Sequence, residues 1–308
     1  MRVVTKTEVA DGVVALSLAD PEGRRLPDWA PGSHVDLVLP DGLTRQYSLC
    51  GDRWDAHTYR IGVLREADGR GASQFVHDRL RVGDLVGVGA PRNSFPLVPS
   101  SSYLFVASGI GITPLLPMIQ QADLLGADWR LLYSGRRKAS MAFLDELSAY
   151  GERVRLHPRD ECGPLVLERF LGEPRGGVKV YCCGPVRLLD AIEAACADWP
   201  RHALHIERFV AVQAGPPALE GPFEVELTRT GRTVTVTPDV SVLDAVRGAG
   251  ADVLSSCGQG LCGTCETEVV EGVPDHRDSL LDDVGRAAND CMYVCVSRSC
   301  TPRLVLDL

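Results

Sequence analysis

Across residues 1–99 apolar side chains come in short runs that break at Gly, Pro or Asp: Val13 to Leu18, His34 to Leu39, Arg45 to Cys50, Tyr59 to Arg65 and Asp84 to Val88. Strand-length runs punctuated in this way predict an antiparallel barrel or sandwich. Turns such as Pro40-Asp41-Gly42 would join its strands. From Tyr103 the pattern changes. Tyr103 to Ala107, Trp129 to Tyr133, Val154 to His157 and Val178 to Cys183 are apolar runs of strand length, separated by helical patterns near 114–125, 142–150, 165–171 and 185–198. Strand and helix in alternation predict a parallel sheet covered by helices. Residues 213–222, QAGPPALEGP, hold five Gly and Pro in ten positions, which suits a linker. Beyond it Phe223 to Leu227 and Thr233 to Thr237 alternate, and Val242 to Ala249 has helical spacing. The expected organisation is β (1–99), α/β (100–212), linker (213–222) and α+β (223–308).

Composition narrows the function classes. A chain of 308 residues exceeds what one hydrophobic core usually holds, and 45% apolar with 24% charged residues is the mix of a folded globular chain. The formal charge of -9 argues against a nucleic-acid binder, which needs clustered Lys and Arg. The acidity concentrates after residue 221, where 7 Lys and Arg face 14 Asp and Glu. The longest apolar stretch, Tyr103 to Ile119, is interrupted by Ser108, Gly109, Gly111, Pro114 and Pro117, so no membrane-spanning helix is expected. The N-terminus, MRVVTKTE, is polar where a signal peptide would be apolar, and a cytoplasmic location is expected.

Eleven cysteines, six of them in the last 52 residues, point to reduced or metal-bound thiols rather than a disulfide framework. Cys257, Cys262 and Cys265 form C-x4-C-x2-C, the spacing of plant-type 2Fe-2S ligation, which takes a fourth Cys further along. Gly258, Gly260 and Gly263 would allow positive φ and turn backbone N–H groups toward the sulfurs. A zinc knot or buried free thiols is the alternative, although zinc usually takes two short Cys pairs. Spacing leaves Cys291, Cys295 and Cys300 all open as the fourth ligand.

Four further segments carry chemistry. Arg45-Gln46-Tyr47-Ser48 ends a strand, and Gly69-Arg70-Gly71-Ala72-Ser73 enters a helical run, where free N–H groups and a hydroxyl can hold an anion. Gly109-Ile110-Gly111-Ile112-Thr113-Pro114 passes from strand to helix, with Thr113 as N-cap, Pro114 at the first helical position, and glycines that admit a pyrophosphate. Tyr181-Cys182-Cys183-Gly184-Pro185 and Ser134-Gly135-Arg136 end strands of the same sheet.

The C-terminal region, with CGQGLCGTCETEVVEGVPDHRDSLL, YVCVSR and LVLDL, closely resembles the ferredoxin domain of the phthalate dioxygenase reductase and vanillate demethylase reductase family. RQYS, GRGAS, PRNSFPL, SGIGITP and CCGP resemble that superfamily's flavin and nicotinamide elements, so the likeness spans nearly the whole chain. It implies an antiparallel Greek-key flavin barrel, a parallel-sheet nucleotide-binding domain and a C-terminal β-grasp ferredoxin. It implies that Cys295 is the fourth cluster ligand, beside Cys257, Cys262 and Cys265. It places FMN against Arg45, Tyr47, Ser48, Val63, Gly71, Ala72 and Ser73, and an aromatic ring, Phe209, close to the flavin. NADH, with NADPH left open by Arg136 and Arg137, would meet Gly109, Gly111, Thr113, Ser134, Arg136, Cys183, Gly184 and Pro185. Ser48 and Cys183 would flank the hydride path. The implied activity is an NAD(P)H-dependent reductase, expected to be a monomer, that feeds single electrons to a Rieske-type or haem oxygenase. An FAD reductase of the phenylacetate or steroid hydroxylase type shares domain order and much of the motif set, and a flavin and iron–sulfur redox sensor is a more distant alternative.

Overall fold

A computed structural model describes all residues except Asp41, Asp68, Arg70, Val212 and Gln213, so part of the GRGAS segment, the 40–42 turn and the first linker position lie outside the description. The polar N-terminus, where no strand is expected from its pattern, forms β1 (Arg2–Ala10), antiparallel to β2 (Val13–Ala19). Of the first eight residues of this strand only Val3 is buried. Backbone pairing rather than an apolar face therefore holds β1, which is why hydrophobic patterning does not show it. β5 (Thr58–Leu64) pairs with the other edge of β2. A second sheet joins β3 (Ser33–Val38) to β4 (Thr44–Ser48), β6 (Gly87–Val88) and β7 (Arg92–Asn93). The Asp84 to Val88 run is thus mostly irregular, and Leu85 is exposed. Val3, Leu16, Leu18, Val35, Leu49, Ile61 and Val63 fill the space between these sheets.

The helix α1 (Ala72–Asp78) closes one side of this barrel. Its last turn is held from a distance: Lys6 Nζ on β1 donates to the carbonyls of Val76 (2.7 Å), His77 (2.8 Å) and Leu80 (2.8 Å), a cation where the helix presents unsatisfied oxygens.

The next part is a five-stranded parallel sheet in the order β10 (Val154–Pro158), β9 (Asp128–Gly135), β8 (Ser102–Ser108), β11 (Val178–Cys183), β12 (Leu204–Glu207). Its connecting helices are α2 (Leu115–Leu124), α3 (Leu144–Ser148), α4 (Arg159–Cys162), α5 (Glu168–Leu171) and α6 (Val186–Ala195). Several are shorter than their apolar pattern suggests, and α4 and β12 stand where no element is expected. Trp129, Tyr103, Tyr133, Tyr181 and Phe105 are fully buried against α2 and its neighbours, and form the heaviest part of the core. Strand order reverses between β8 and β11, with Ala107 opposite Cys183, Ser108 opposite Ser134, and Cys183 opposite Glu207. Ligands of open α/β sheets bind at the carboxyl ends of the strands beside such a reversal.

Residues Met1–Arg208 form one compact unit and Phe209–Leu308 a second. In the second, the order β14 (Arg232–Val236), β13 (Phe223–Leu227), β19 (Arg303–Leu306), β15 (Glu266–Glu271), β17 (Cys291–Tyr293) makes a mixed sheet in which only the β13–β19 pair is parallel. α7 (Val242–Gly248), capped by Ser241 Oγ accepting the Asp244 N–H at 3.0 Å, lays Val242, Leu243 and Val246 on Val225, Leu227, Leu304 and Leu306. A short ladder, β16 (Pro274–Asp275) with β18 (Arg298–Ser299), and α8 (Asp283–Ala288) complete it. Among the described residues no helix is long and apolar enough to cross a membrane.

Candidate functional site

In the first unit three strand ends meet. Ser48 ends β4, Cys183 ends β11 and Glu207 ends β12. The Cys183 thiol donates to Glu207 Oε2 at 3.9 Å, and the Ser48 hydroxyl bonds to the same carboxyl. Burial pushes Glu207 up to about 8, against the opposing pull of Cys183 and Ser48. Burial, then the Glu207 carboxyl, holds the Cys183 thiol well above its ordinary range. At neutral pH this cluster is a neutral acid, a thiol and a hydroxyl, and Cys183 is not a thiolate nucleophile. Glu207 did not emerge from the sequence as a site residue, because an acid at the end of an unrecognised strand has no local signature.

The remaining positions of the barrel are distinct in environment. Arg45 and Tyr47 lie on one face of β4. Arg45 Nη1 donates to the Thr44 carbonyl at 2.7 Å, and burial pushes the Tyr47 hydroxyl up to about 12. Val63 is fully buried in the barrel core, and its carbonyl is 2.9 Å from His77 Nε2. Gly71, at φ 90°, is the N-cap of α1, so Ser73 lies inside the helix and its Oγ accepts the Glu66 N–H at 3.1 Å. Gly71 also lines a cleft of about 270 Å³ with Leu43, Gln74, Phe75, Asp78 and Arg79. A guanidinium, an aromatic face, a hydroxyl and a left-handed glycine opening a helix are the donor set a flavin mononucleotide or dinucleotide requires.

At the strand-order reversal the two glycine segments touch backbone to backbone. A Cβ on Gly111 would lie 2.3 Å from the Cys183 carbonyl oxygen, and one on Gly184 would lie 3.1 Å from Ser108 Cβ. The GIGITP and CCGP segments are therefore packed into one floor at the carboxyl ends of β8 and β11. Thr113 does not cap α2 as expected from sequence. Gly109–Ile112 forms a 3-10 turn, which leaves Thr113 already helical, with its hydroxyl donating back to the Ile110 carbonyl at 2.9 Å. Pro114 is the N-cap. Ser134 is buried, Arg136 is exposed, and Arg137 pairs with Asp11 at 3.4 Å.

In the second unit Gly258, Gly260 and Gly263 adopt φ of 62°, 67° and 74°. These left-handed turns curl the loop around the sulfurs. Cys257 Sγ receives the N–H of Gln259 (3.2 Å) and of Leu261 (3.4 Å), and Cys262 Sγ lies 3.1 Å from Thr264 Oγ1. Gly260 N–H donates to Cys295, and Cys295 N–H to Cys265. The thiols are in pairwise contact. Cys257 and then burial push Cys262 up to about 12, while Cys295 holds Cys265 below the usual thiol range. Of the three cysteines that spacing leaves open, Cys295 is the one brought against Cys257 and Cys265. Cys300 is exposed and faces the Pro274 carbonyl at 3.6 Å, and Cys291 stands beside Glu266 and Asp290. Among the described residues no three His, Cys, Asp or Glu side chains close on a single ion position. Two pairs of thiols, each sulfur met by a backbone or hydroxyl donor, fit two irons with two thiolates apiece. Phe209, 40% exposed, opens this unit.

The 2Fe-2S iron-sulfur cluster binding domain family matches residues 225–300. Phenoxybenzoate dioxygenase subunit beta of Ectopseudomonas oleovorans is 46% identical over 301 residues, 97% of this chain and 94% of its own length. The structure of phthalate dioxygenase reductase, described as modular for electron transfer from pyridine nucleotides to [2Fe-2S], superposes with a TM-score of 0.71 at 35% identity, covering 100% of this chain and 97% of that one. An intact type IV self-sufficient cytochrome P450 monooxygenase superposes with a TM-score of 0.94 at 43% identity, and there the chain matches 40% of the larger protein's length.

Proposed function

The chain belongs to the phthalate dioxygenase reductase family of oxygenase reductases, and from that membership we propose which of its residues hold FMN, NADH and the iron–sulfur cluster. It is an NAD(P)H-dependent reductase that passes electrons through a flavin and a 2Fe-2S cluster to an oxygenase. The flavin converts a two-electron hydride into the single electrons a 2Fe-2S cluster accepts.

In our reading Arg45 and the Gly71–Ser73 turn hold the flavin phosphate, Tyr47 lies against the ring, and Ser48 faces the reactive edge of the ring. NADH rests on the floor made by Gly109, Gly111, Thr113, Cys183, Gly184 and Pro185, with Ser134 and Arg136 toward the ribose. Arg136 and Arg137 are both exposed at that strand end, Arg137 in a surface pair with Asp11, so NADPH is the second reading beside NADH. Glu207, protonated at neutral pH, keeps a proton on the Ser48 and Cys183 side of the site and so limits negative charge where a hydride arrives. Cys257, Cys262, Cys265 and Cys295 hold the cluster. We place the chain in the cytoplasm, where thiols stay reduced, as the reductase component of a multicomponent oxygenase whose terminal partner is Rieske-type or haem-type.

The observation that carries this reading is the thiol cage, in which Cys257, Cys262, Cys265 and Cys295 lie in contact with N–H groups directed at their sulfurs. Cys262→Ser is expected to abolish electron delivery to an acceptor protein while NADH still bleaches the flavin. A variant that remains fully coupled overturns the assignment. Flavin released from the purified protein should co-migrate with FMN, and FAD in its place would refute that part of the reading.

A further inference from the structure

The segment 276–281, between the cysteine loop and Cys295, carries a buried acid that nothing above uses. Asp278 is 2% exposed and its side chain is fully covered. Its Oδ1 accepts the N–H of Leu280 (2.9 Å) and of Leu281 (2.8 Å), which folds the chain into a tight turn. Its Oδ2 has no hydrogen-bond partner among the described residues, and His276 Nδ1 stands 4.0 Å away. Arg286 does not pair with this carboxyl. It donates instead to the carbonyls of Leu281 (3.0 Å), Asp278 (2.8 Å) and His276 (3.4 Å), gripping the turn from outside. A buried acid with one oxygen unanswered is costly, so a fold that retains one calls for a reason.

The turn lies directly against the cysteine loop. Ser279 N–H donates to the Gly260 carbonyl at 3.0 Å. A Cβ on Gly260 would lie 2.6 Å from Val296 Cγ2, 3.0 Å from Asp278 Cα and 3.2 Å from Asp278 Cβ, so the Asp278 turn and the Val296 side chain both pack directly on this glycine. Gly260 in turn donates its own N–H to Cys295 Sγ. One residue is thus fastened on both sides: its carbonyl to the Asp278 turn, its N–H to a sulfur.

We propose that Asp278 is a positioning residue for electron transfer: its carboxyl folds the turn whose Ser279 N–H holds Gly260 so that the Gly260 N–H points at the Cys295 sulfur. Hydrogen bonds to cluster sulfurs stabilise the extra negative charge of the reduced form and raise its potential. The inference rests on the ligand set proposed above, and its consequence is a change in midpoint potential rather than in flavin reduction.

The test compares four variants of the full holoprotein by redox titration followed by electron paramagnetic resonance. Asp278→Ala and Asp278→Asn both remove the charge, but Asn keeps an oxygen for the Leu280 and Leu281 N–H groups. The difference between them therefore isolates the turn. Asp278→Ala should reduce at least tenfold less readily than Asp278→Asn, a midpoint 59 mV lower for one electron, with altered g values in the Ala variant alone. Ser279→Pro deletes the donor itself without touching the acid, and should lower the midpoint in the same direction. Equal midpoints for the Ala and Asn variants, or a Ser279→Pro midpoint at the wild-type value, overturn the proposal. Cys295→Ser separates this from failure of the ligand set: a variant that keeps the wild-type signal refutes the ligands, whereas loss of that signal with unchanged midpoints at 278 and 279 refutes the positioning role alone.

Discussion

Replacing Glu207 by Gln should flatten the pH dependence of stability. Glu207 titrates near 8 in the folded chain against an ordinary 4.5, because burial penalises its charged form. Between those values the folded state keeps a proton that the unfolded chain has already released. The stabilisation is therefore complete below pH 4.5 and is lost as pH rises through 8. One protonation difference is worth about 1.4 kcal/mol per pH unit, so the ceiling over this range of roughly 3.5 units is about 5 kcal/mol. Gln carries no proton to lose, so all other titrations cancel in the difference between the two proteins. Urea unfolding of wild type and Glu207→Gln at pH 5, 6.5 and 8, followed by the emission of the four tryptophans, Trp129 in the sheet core among them, measures that difference. Wild type should lose its advantage steadily toward pH 8. Parallel profiles for the two proteins would refute the buried, protonated Glu207.

Gly111→Ala places a Cβ 2.3 Å from the Cys183 carbonyl, a backbone atom that must move, and should cost about 1–3 kcal/mol. Because the displaced strand end carries Cys183, KM for the nicotinamide should rise as well, and stopped-flow flavin reduction checks it. Lys6→Met removes the cation that answers three carbonyls at the end of α1 and should lower stability by about 1–3 kcal/mol, read as a drop in thermal midpoint. With 7 Lys and Arg against 14 Asp and Glu after residue 221, reduction of a protein acceptor should slow between low and high salt. A salt-independent rate would assign that acidity to solubility alone.

Much of the cluster site is legible in sequence because its determinants are local. Glycines at 258, 260 and 263 stand next to the sulfurs they serve, so the positive φ values and the converging N–H groups follow from spacing. The fourth cysteine is different. Cys291 and Cys295 lie on one strand pattern, and only packing of the chain after β17 against the loop selects one. The capping role expected of Thr113 shifted for a related reason. It depends on where the first helical hydrogen bond forms, and a 3-10 turn at 109–112 moved that point by one residue.

What the sequence by itself determined is the order of a β, an α/β and a cysteine-bearing part, together with the chemistry of each short segment. These features arise within a few residues, through strand and helix periods, glycine freedom and ligand spacing. What only the tertiary structure decided is which distant ends meet. Ser48 and Cys183 share the Glu207 carboxyl because sheet order and register align the ends of β11 and β12 and set β4 beside them. Asp278 reaches the cysteine loop through Ser279 and Gly260. Burial created by such meetings shifts a carboxyl by units of pH, and no local pattern encodes it, since the atoms that exclude water come from elsewhere in the chain.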